Sequence, residues 1–494
     1  MTIAELIAAL EGRGIILFLE GGAIRYRSPR DALTQADRDV LRARRDEITD
    51  YLQAREAGRT LRAVEGAAGP LTPSVIQEMW WRFAGMPEEG KPIALNIGMV
   101  RKFPMSPAKL TEAIHAVLAR HEALRVGFRA DGERLIAHAN DIGSLAIEQD
   151  STSADGALPA AQEFCGRLNP ILGQWLTRAK VIALPDGGSM AAISSAHMIA
   201  DFGSRNILID EIQDFLDGKS APAASVDYNS HSLGERHFLE TPQGAGLIEH
   251  WRDWNHAQPA LAAPSDGAPL LWGTGERIVC NFAIPRRVMA RARALADVLK
   301  VTPFGIFITV FSIAIARWAK VENFPLRVLG DKRLTLETAS TVGLMFCADA
   351  VAVHAPQDAD FEITLRGILA SYDSTVSRRI PSLHFYPPQM VRPGIEAPGY
   401  PNRIPAVFNY YSVGTARERA EKLAEPDAAL PWPPKITRIS QIWPRVSAPL
   451  FLHLMDYGSD AQVSLHFYAE VVPQTDQEDF TALLLRLLDE TLAQ

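Results

Sequence analysis

The sequence has few cysteines, no excess of basic residues and no long apolar run near its start. Its three cysteines, Cys165, Cys280 and Cys347, are isolated, which fits a reducing compartment better than a disulfide framework. The formal net charge of −8 argues against a nucleic-acid surface. The longest early apolar run, residues 15–19, is too short for a signal peptide or a membrane span. We therefore expect a soluble, cytoplasmic protein with neither a nucleic-acid nor a membrane partner.

Motifs for cofactors are also missing. Neither a complete phosphate-binding loop nor a dinucleotide-binding glycine pattern occurs in the sequence. The cysteines have no spacing typical of metal ligands. We therefore expect no bound nucleotide, no metal and no other bound cofactor. A chain of 494 residues exceeds what one compact core usually holds, so two or three folding units are expected.

Residues 1–57 predict a small α-β-β-α unit. Apolar residues at helical spacing between positions 3 and 10 indicate a first helix. Gly21 and Gly22 separate two strand-like runs, which predicts a β-hairpin with a two-residue turn. Thr34 opens a second helix. A charged stretch rich in Ala and Gly follows, and we interpret residues 58–70 as a linker.

From residue 71 onward, strand-like runs alternate with amphipathic helices, which indicates an α/β fold. Residues 107–120 predict a helix. Residues 179–184 and 190–195 predict two strands joined by a tight turn.

A segment rich in Pro, Ala and Gly at 258–269 divides this region into two lobes. The predicted lobes are residues 71–257 and 258–494. Early in the second lobe, Thr302 as a cap and Pro303 predict the start of a long helix. That helix is apolar on nearly every side, so we expect it to be buried.

A candidate for chemistry follows the second of the two predicted strands. His197 is followed by Asp201 four residues later. A neutral imidazole can take a proton from an attacking amine or alcohol near pH 7, so the arrangement suits acyl transfer. With 12 histidines in the chain, a chance match of this spacing has roughly even odds, so the spacing alone is weak evidence.

Five segments match, in order and at similar intervals, the motifs of one enzyme family. The most specific match is Arg-His-Glu-Ala-Leu-Arg at 120–125, followed by Phe128. Residues 196–204 read Ala-His-Met-Ile-Ala-Asp-Phe-Gly-Ser, where the family has His-His-x-x-x-Asp-Gly-Trp-Ser. The other matches are residues 74–77 with Trp81, residues 301–304, and residues 330–345 with Arg333 and Gly343. By these motifs the chain resembles the condensation domains of nonribosomal peptide synthetases.

The resemblance covers about residues 71–494 and implies two chloramphenicol-acetyltransferase-like lobes in a V arrangement. Phosphopantetheine arms would enter a tunnel between the lobes from opposite faces. His197 would be the catalytic residue at the middle of the tunnel. Asp201 and Arg333 would form a structural pair that sets the geometry of the loop. The active-site loop and tunnel would further include Ala196, Phe202, Gly203 and Ser204.

The chain departs from the family pattern at several positions. Ala196 replaces the first histidine, and Phe202 replaces the glycine that borders the thioester approach. Cys347 and Ala348 replace an Asn-Thr pair between the lobes. These changes suggest an unusual acceptor. Asn409 matches a late family motif, and we interpret it as structural, bonding backbone between the lobes.

Residues 1–57 resemble the β-hairpin docking domains found at the N-termini of such subunits. The resemblance implies that the hairpin, with Arg25, Tyr26 and Arg27, recognises the C-terminal tail peptide of a carrier protein. An acidic tail could add as a strand beside the hairpin. The alternative is that these arginines form a solvated face.

The resemblance as a whole implies a stand-alone condensation enzyme of nonribosomal peptide or polyketide biosynthesis. Such an enzyme would transfer an acyl chain from the phosphopantetheine thioester of an acyl or peptidyl carrier protein to an amine or alcohol. The acceptor could be carrier-bound, or a free small molecule that releases the chain. One alternative is a catalytically degenerate module that recruits carrier proteins or partner enzymes. Others are an acyl-CoA transferase and an epimerase or cyclase variant. The sequence does not specify the acyl chain.

Overall fold

The structure is a computed structural model of the chain. It describes residues 6, 16–20, 23–27, 34–49, 71–83, 96–219, 226–271, 273–333, 338–377, 404–424 and 430–493.

The N-terminal unit contains the predicted hairpin. Strands β1 (Ile16–Glu20) and β2 (Ala23–Arg27) are antiparallel. Helix α1 (Gln35–Ala43) begins after Thr34, whose hydroxyl accepts a hydrogen bond from the backbone N–H of Asp37. The hairpin and the second helix are therefore confirmed. The predicted first helix lies outside the described residues, apart from the buried, helical Leu6.

The first lobe contains helices on both faces of a small sheet. Its elements in chain order are α2 (Val75–Phe83), β3 (Asn96–Phe103), α3 (Pro107–Arg120), β4 (Val126–Asp131), β5 (Arg134–Ala139), β6 (Ile147–Ser151), α4 (Ala154–Gly166), β7 (Thr177–Ala183), β8 (Ser189–Ala196), α5 (Phe202–Leu216), α6 (Tyr228–Leu239) and α7 (Pro242–Ala257).

The sheet order in this lobe is β3-β8-β7-β6, with only the β6–β7 pair parallel. Alternating side chains point to opposite faces, so Val181 packs with α3 and α5 whereas Ile182 packs with α4. Because β8 lies inside the sheet and between helical layers, all eight of its residues are buried. The strand therefore gives the loop that follows it a rigid base.

The second lobe contains a larger mixed sheet. Its elements are β9 (Gly273–Ile284), α8 (Arg286–Leu299), α9 (Pro303–Ala319), β10 (Asn323–Asp331), β11 (Phe346–His354), α10 (Phe361–Ser377), β12 (Ala406–Ser412), α11 (Ala416–Ala424), β13 (Thr437–Ser447), β14 (Leu450–Asp456), β15 (Ala461–Tyr468) and α12 (Gln474–Ala493). The strand order is β11-β10-β12-β14-β15-β9-β13.

Helices α8, α9, α10 and α12 cover one face of this sheet and form the main core with it. Strand β14 alternates between buried and half-buried residues along its whole length. Leu452 and Leu454 belong to the helix-covered core, whereas His453 lies on the other face. That second face meets the first lobe, since Ala350 of β11 packs with Trp251 of α7.

Helix α9 is buried on nearly every side, as its apolar sequence predicts. Its expected cap is only partly formed. Thr302 occupies the N-cap position, but its side chain makes no capping hydrogen bond. The first turn is closed instead by the backbone N–H of Gly305, which donates to the Thr302 carbonyl at 2.9 Å.

The strands of the two sheets come from separate parts of the chain, with the four-stranded sheet inside residues 71–257 and the seven-stranded sheet inside 258–494. The limits of the four predicted units stay predictions. Within the described ranges, no single helix is long and apolar enough to cross a membrane. Helices α8 and α9 meet the length and composition limits only when they are taken together, and a bend of 101° separates them.

Candidate active site

Ala196, the last residue of β8, is part of the packed base of the site. Its side chain is fully buried in an apolar cluster with Trp81 and Met198. Its backbone N–H donates to the carbonyl of Leu176 at 2.8 Å. The position of the first histidine in the family pattern is therefore packed into the first lobe here.

His197 is the first residue beyond that base. Its Nδ1 lies 2.8 Å from the carbonyl oxygen of Ala200. Because a carbonyl can only accept, Nδ1 carries the proton and donates it, which leaves the lone pair of the neutral ring on Nε2. Burial lowers the pKa of His197 below its usual 6.5, and the opposing effect of the Ala200 carbonyl is smaller. The imidazole is therefore neutral near pH 7 and presents a basic Nε2.

Two aromatic side chains, one from each lobe, contact the His197 ring. The ring of Trp80 on α2 lies 5.2 Å from it, centroid to centroid, and the ring of Phe346 on β11 lies at 5.9 Å. The sequence analysis missed both residues and singled out Trp81 instead, which is in the core. Adjacent residues of a helix point about 100° apart, so two consecutive tryptophans cannot both enter the same core. The pair of consecutive tryptophans could therefore have identified Trp80 as a residue that lies outside the core and contacts the site.

Asp201 and Arg333 form a bidentate ion pair between the lobes. Nη2 and Nη1 of Arg333 donate to the two carboxylate oxygens of Asp201 at 2.8 and 3.0 Å. The backbone N–H of Met345 donates to the same carboxylate at 2.8 Å. Burial alone would raise the pKa of Asp201, but the Arg333 charge and hydrogen bonds from Arg333 and Ser204 hold it below its usual 3.8. The Nδ1 proton of His197 is bound to the Ala200 carbonyl and the Asp201 carboxylate to Arg333 and Met345, so the carboxylate holds the loop to the second lobe.

Ser204 and Gly203 lie beside the ion pair of Asp201 and Arg333 and help to position it. Asp201 caps α5 by accepting the Ser204 backbone N–H at 2.8 Å, and the Ser204 hydroxyl lies 2.9 Å from the Gly343 carbonyl. A Cβ on Gly203 would lie only 2.4 Å from Nη1 of Arg333. A side chain at this position would therefore displace the Arg333 guanidinium from its present place beside Asp201.

Phe202 does not project freely into the space between the lobes. Its ring stacks on Tyr411 of β12, with centroids 4.5 Å apart, and its side chain remains 40% exposed. One turn further along α5, Arg205 approaches Glu418 of α11 at 3.9 Å. The start of α5 therefore contacts the second lobe at several successive side chains.

The Ser-x-x-Gln segment at the start of α2 makes two hydrogen bonds, one of which holds the His197 loop in place. The Ser74 hydroxyl lies 2.8 Å from the Tyr228 hydroxyl. Nε2 of Gln77 donates to the carbonyl of Met198 at 3.0 Å. The motif thus links α2 and α6 to the residue directly after His197.

A buried charged cluster lies beside Arg333 and was missed by the sequence analysis. Nζ of Lys332 contacts the Glu235 carboxylate, and His231 lies 3.4 Å from the same group. Burial opposes ionisation of Glu235, but the Lys332 charge and His231 lower its pKa to about 2. Lys332 and Glu235 lie far apart in the chain, so no local sequence pattern predicts their contact.

Two other departures from the family pattern, and one match to it, lie in strands of the large sheet. Cys347 and Ala348 are buried in β11 opposite Gly330 and Leu329. The expectation that Asn409 bonds backbone between the lobes is wrong. Its Nδ2 lies 3.1 Å from Nδ1 of His453, on the neighbouring strand of the same sheet.

The predicted docking residues lie on β2. Arg25 is exposed and pairs in register with Phe18. The backbones of Tyr26 and Arg27 pair with Leu17 and Ile16, and their side chains lie outside the description. Among the described residues, no group of three His, Cys, Asp or Glu side chains is arranged to hold a metal ion.

Comparison with known families agrees with this geometry. Residues 69–374, more than half of the chain, match the model of the condensation domain. The chain belongs to the condensation domain family. Residues 3–54 match the TubC N-terminal docking domain. The chain therefore combines a docking domain with a condensation domain of the nonribosomal peptide and polyketide synthetase systems, in which both imply carrier-protein partners.

Two solved structures match nearly the whole chain, and a curated relative matches part of it. A solved structure on condensation domain-mediated chain release from the enacyloxin polyketide synthase is 32% identical, with a TM-score of 0.81 over 100% of this chain and 97% of that one. The EpoB cyclization-docking bidomain of Sorangium cellulosum is 17% identical, with a TM-score of 0.63 over 99% of this chain and 98% of its own. Phosphinothricin tripeptide synthetase PhsC of Streptomyces viridochromogenes is 26% identical over 305 residues, which are 58% of this chain. The match spans 27% of PhsC.

Proposed function

We propose that this condensation domain transfers an acyl chain from the phosphopantetheine thioester of a carrier protein to a free small-molecule amine or alcohol. The observation that carries the proposal is the state of His197. Its Nδ1–H is held by the Ala200 carbonyl, and its ring is neutral, so Nε2 is available as a base. No cofactor is needed for such a step.

In the proposed reaction, Nε2 of His197 takes the proton from the acceptor's O–H or N–H group. The acceptor oxygen or nitrogen attacks the thioester carbonyl carbon at the same time. The tetrahedral intermediate then expels the phosphopantetheine sulfur, which receives the proton from Nε2. One C–S bond breaks, and one C–O or C–N bond forms.

One observation supports a free acceptor over a carrier-bound one. The similar structure at 32% identity concerns chain release by a condensation domain of a polyketide synthase.

The decisive experiment supplies the chain with an acyl-loaded carrier protein and a panel of free amines and alcohols. Intact-mass measurement of the carrier and of the products follows the acyl group. We expect loss of the acyl group from the carrier and appearance of one amide or ester. Carrier binding without transfer to any acceptor, carrier-bound ones included, would instead identify a module that recruits partners.

A further inference from the structure

A row of uncharged polar side chains crosses the second face of the large sheet. Asn409 of β12 pairs with His453 of β14, His453 pairs with Ser464 of β15, and Ser464 pairs with Asn281 of β9. Residues paired across strands share a face, so the four side chains form one line over four strands. All four are half-buried. We call this line the polar row.

The polar row lies on the face that meets the first lobe. At the β11 end, that face packs against Trp251 of α7. At the end of β12, Tyr411 on the same face stacks on Phe202. Asn409 is two residues before Tyr411, about 7 Å along the strand. The polar row therefore begins beside the helix turn that follows the His197 loop.

The hydrogen bonds within the polar row fix which atoms are available to a ligand. Nδ2 of Asn409 donates to Nδ1 of His453, so the proton of the neutral ring is on Nε2. No hydrogen bond to Nε2 of His453 exists in the described part of the chain. Ser464 donates to Oδ1 of Asn281 at 2.6 Å, so the Ser464 oxygen retains acceptor capacity. The row thus offers an N–H donor beside a hydroxyl acceptor.

The row also carries no charge. Burial lowers the pKa of His453 well below its usual 6.5, and neighbouring His466 adds to the effect. A neutral donor and a neutral acceptor on neighbouring strands match hydroxyl groups, which both donate and accept. They match an ionised group poorly, because no opposite charge in the row would offset its desolvation.

We propose that the polar row is a subsite for hydroxyl groups of the substrate, with Nε2 of His453 as the donor and Ser464 as the acceptor. The inference rests on the proposed acyl transfer. The hydroxyl groups could belong to the acceptor or to the acyl chain, since the chemistry is the same.

Two matched pairs of substrates separate these sources. Serinol and isopropylamine present a primary amine on the same carbon skeleton with and without hydroxyls, and their rates are compared per unprotonated amine because the hydroxyls lower the basicity of serinol. The pantetheine thioesters of 3-hydroxyoctanoate and octanoate differ only in one hydroxyl of the acyl chain. For wild type, we expect kcat/KM to favour the hydroxylated member of one pair by about 3- to 10-fold, the usual range for one uncharged hydrogen bond. The pair that responds identifies the source.

Three variants of the full chain test the residue. His453→Phe removes the Nε2 donor and is expected to reduce the preference to about 1. His453→Gln restores an N–H at a similar reach and is expected to recover it. The matched control is His354→Phe, since His354 also bonds an asparagine, Asn323, across the same sheet but lies exposed on β11. The control is expected to keep the wild-type preference.

A binding measurement keeps the subsite separate from the reaction. In protein labelled with ¹⁵N only at histidine, serinol or the 3-hydroxyoctanoyl thioester is expected to shift the His453 Nε2 signal, assigned through the His453→Phe variant. Any of three results would overturn the proposed subsite. They are the absence of a shift in the His453 Nε2 signal, the absence of a hydroxyl preference in wild type, and a preference that persists in His453→Phe. If wild type transfers no acyl group at all, the proposed function fails while the shift still decides the subsite.

Discussion

Phe202 in the first lobe stacks on Tyr411 in the second, with ring planes 30° apart. Replacing Phe202 with alanine removes this stack, and we expect the free energy of unfolding to fall by about 0.5–1.5 kcal/mol beyond the effect of lost area. Phe215→Ala is the control, because Phe215 lies on the same helix with the same 40% exposure and has no ring partner among the described residues. Equal losses in urea denaturation would mean that the stack contributes nothing.

Removing the imidazole is expected to abolish most of the chemistry. His197→Ala is expected to lower kcat by about 10²- to 10⁴-fold, the usual contribution of general base catalysis. Single-turnover transfer from an acyl-loaded carrier measures the loss, and circular dichroism checks the fold. His354→Ala serves as the control, because that histidine is exposed and far from the loop in sequence. Near wild-type turnover without His197 would refute its catalytic role.

The pH dependence of kcat/KM is expected to report the ionisation of the His197 imidazole. Because burial lowers the pKa of His197, the base is neutral down to a lower pH than an ordinary histidine. We therefore expect log kcat/KM to be flat near pH 7 and to fall only below about 6.5. An alcohol acceptor is needed, since an amine adds its own ionisation to the profile. An acid limb centred above 6.5 would contradict the assignment.

The ion pair between the lobes is expected to be cooperative. Asp201→Asn leaves the buried Arg333 with only the exposed carboxylate of Asp331, 3.0 Å away, as a counter-charge, and we expect a cost of up to about 3–5 kcal/mol. Arg333→Met is expected to cost a similar amount, and the double variant less than the sum. The exposed pair Glu362 and Arg366 on α10 provides the control cycle, where near-additivity is expected. Strict additivity at Asp201 and Arg333 would exclude the pairing.

The docking unit is expected to act on the carrier and not on the acyl group. Deleting residues 1–57 is expected to raise KM for the acyl-loaded carrier, while a pantetheine thioester mimic reacts as before. Charge reversal at Arg25 and Arg27 is expected to reproduce part of that loss, and rising salt to weaken carrier binding. Equal impairment toward carrier and mimic would mean that the unit supports the fold instead.

The sequence predicted those features that depend on local periodicity or on linear motifs. The hairpin at Gly21 and Gly22 and the buried helix α9 follow from turn chemistry and apolar spacing. The loop around His197 was found because its residues are contiguous. Its tautomer was not predicted, because it depends on the Ala200 carbonyl turning back toward the ring.

Contacts between distant segments escaped the sequence analysis. Lys332 and Glu235, or Trp80 and Phe346, are brought together only by the packing of one lobe on the other. The role of Asn409 was misjudged for the same reason. Its partner, His453, is set by the strand order, which adjacent sequence does not encode.

The first turn of α5 has a mechanical consequence. Within five residues it presents Asp201, Phe202 and Arg205 to partners on the second lobe, and it ends the loop that bears His197. A hinge motion of one lobe against the other must therefore pull on the imidazole. A molecule that wedges the lobes apart at a remote point is therefore expected to displace His197 and to slow the proposed acyl transfer without occupying the space around the imidazole.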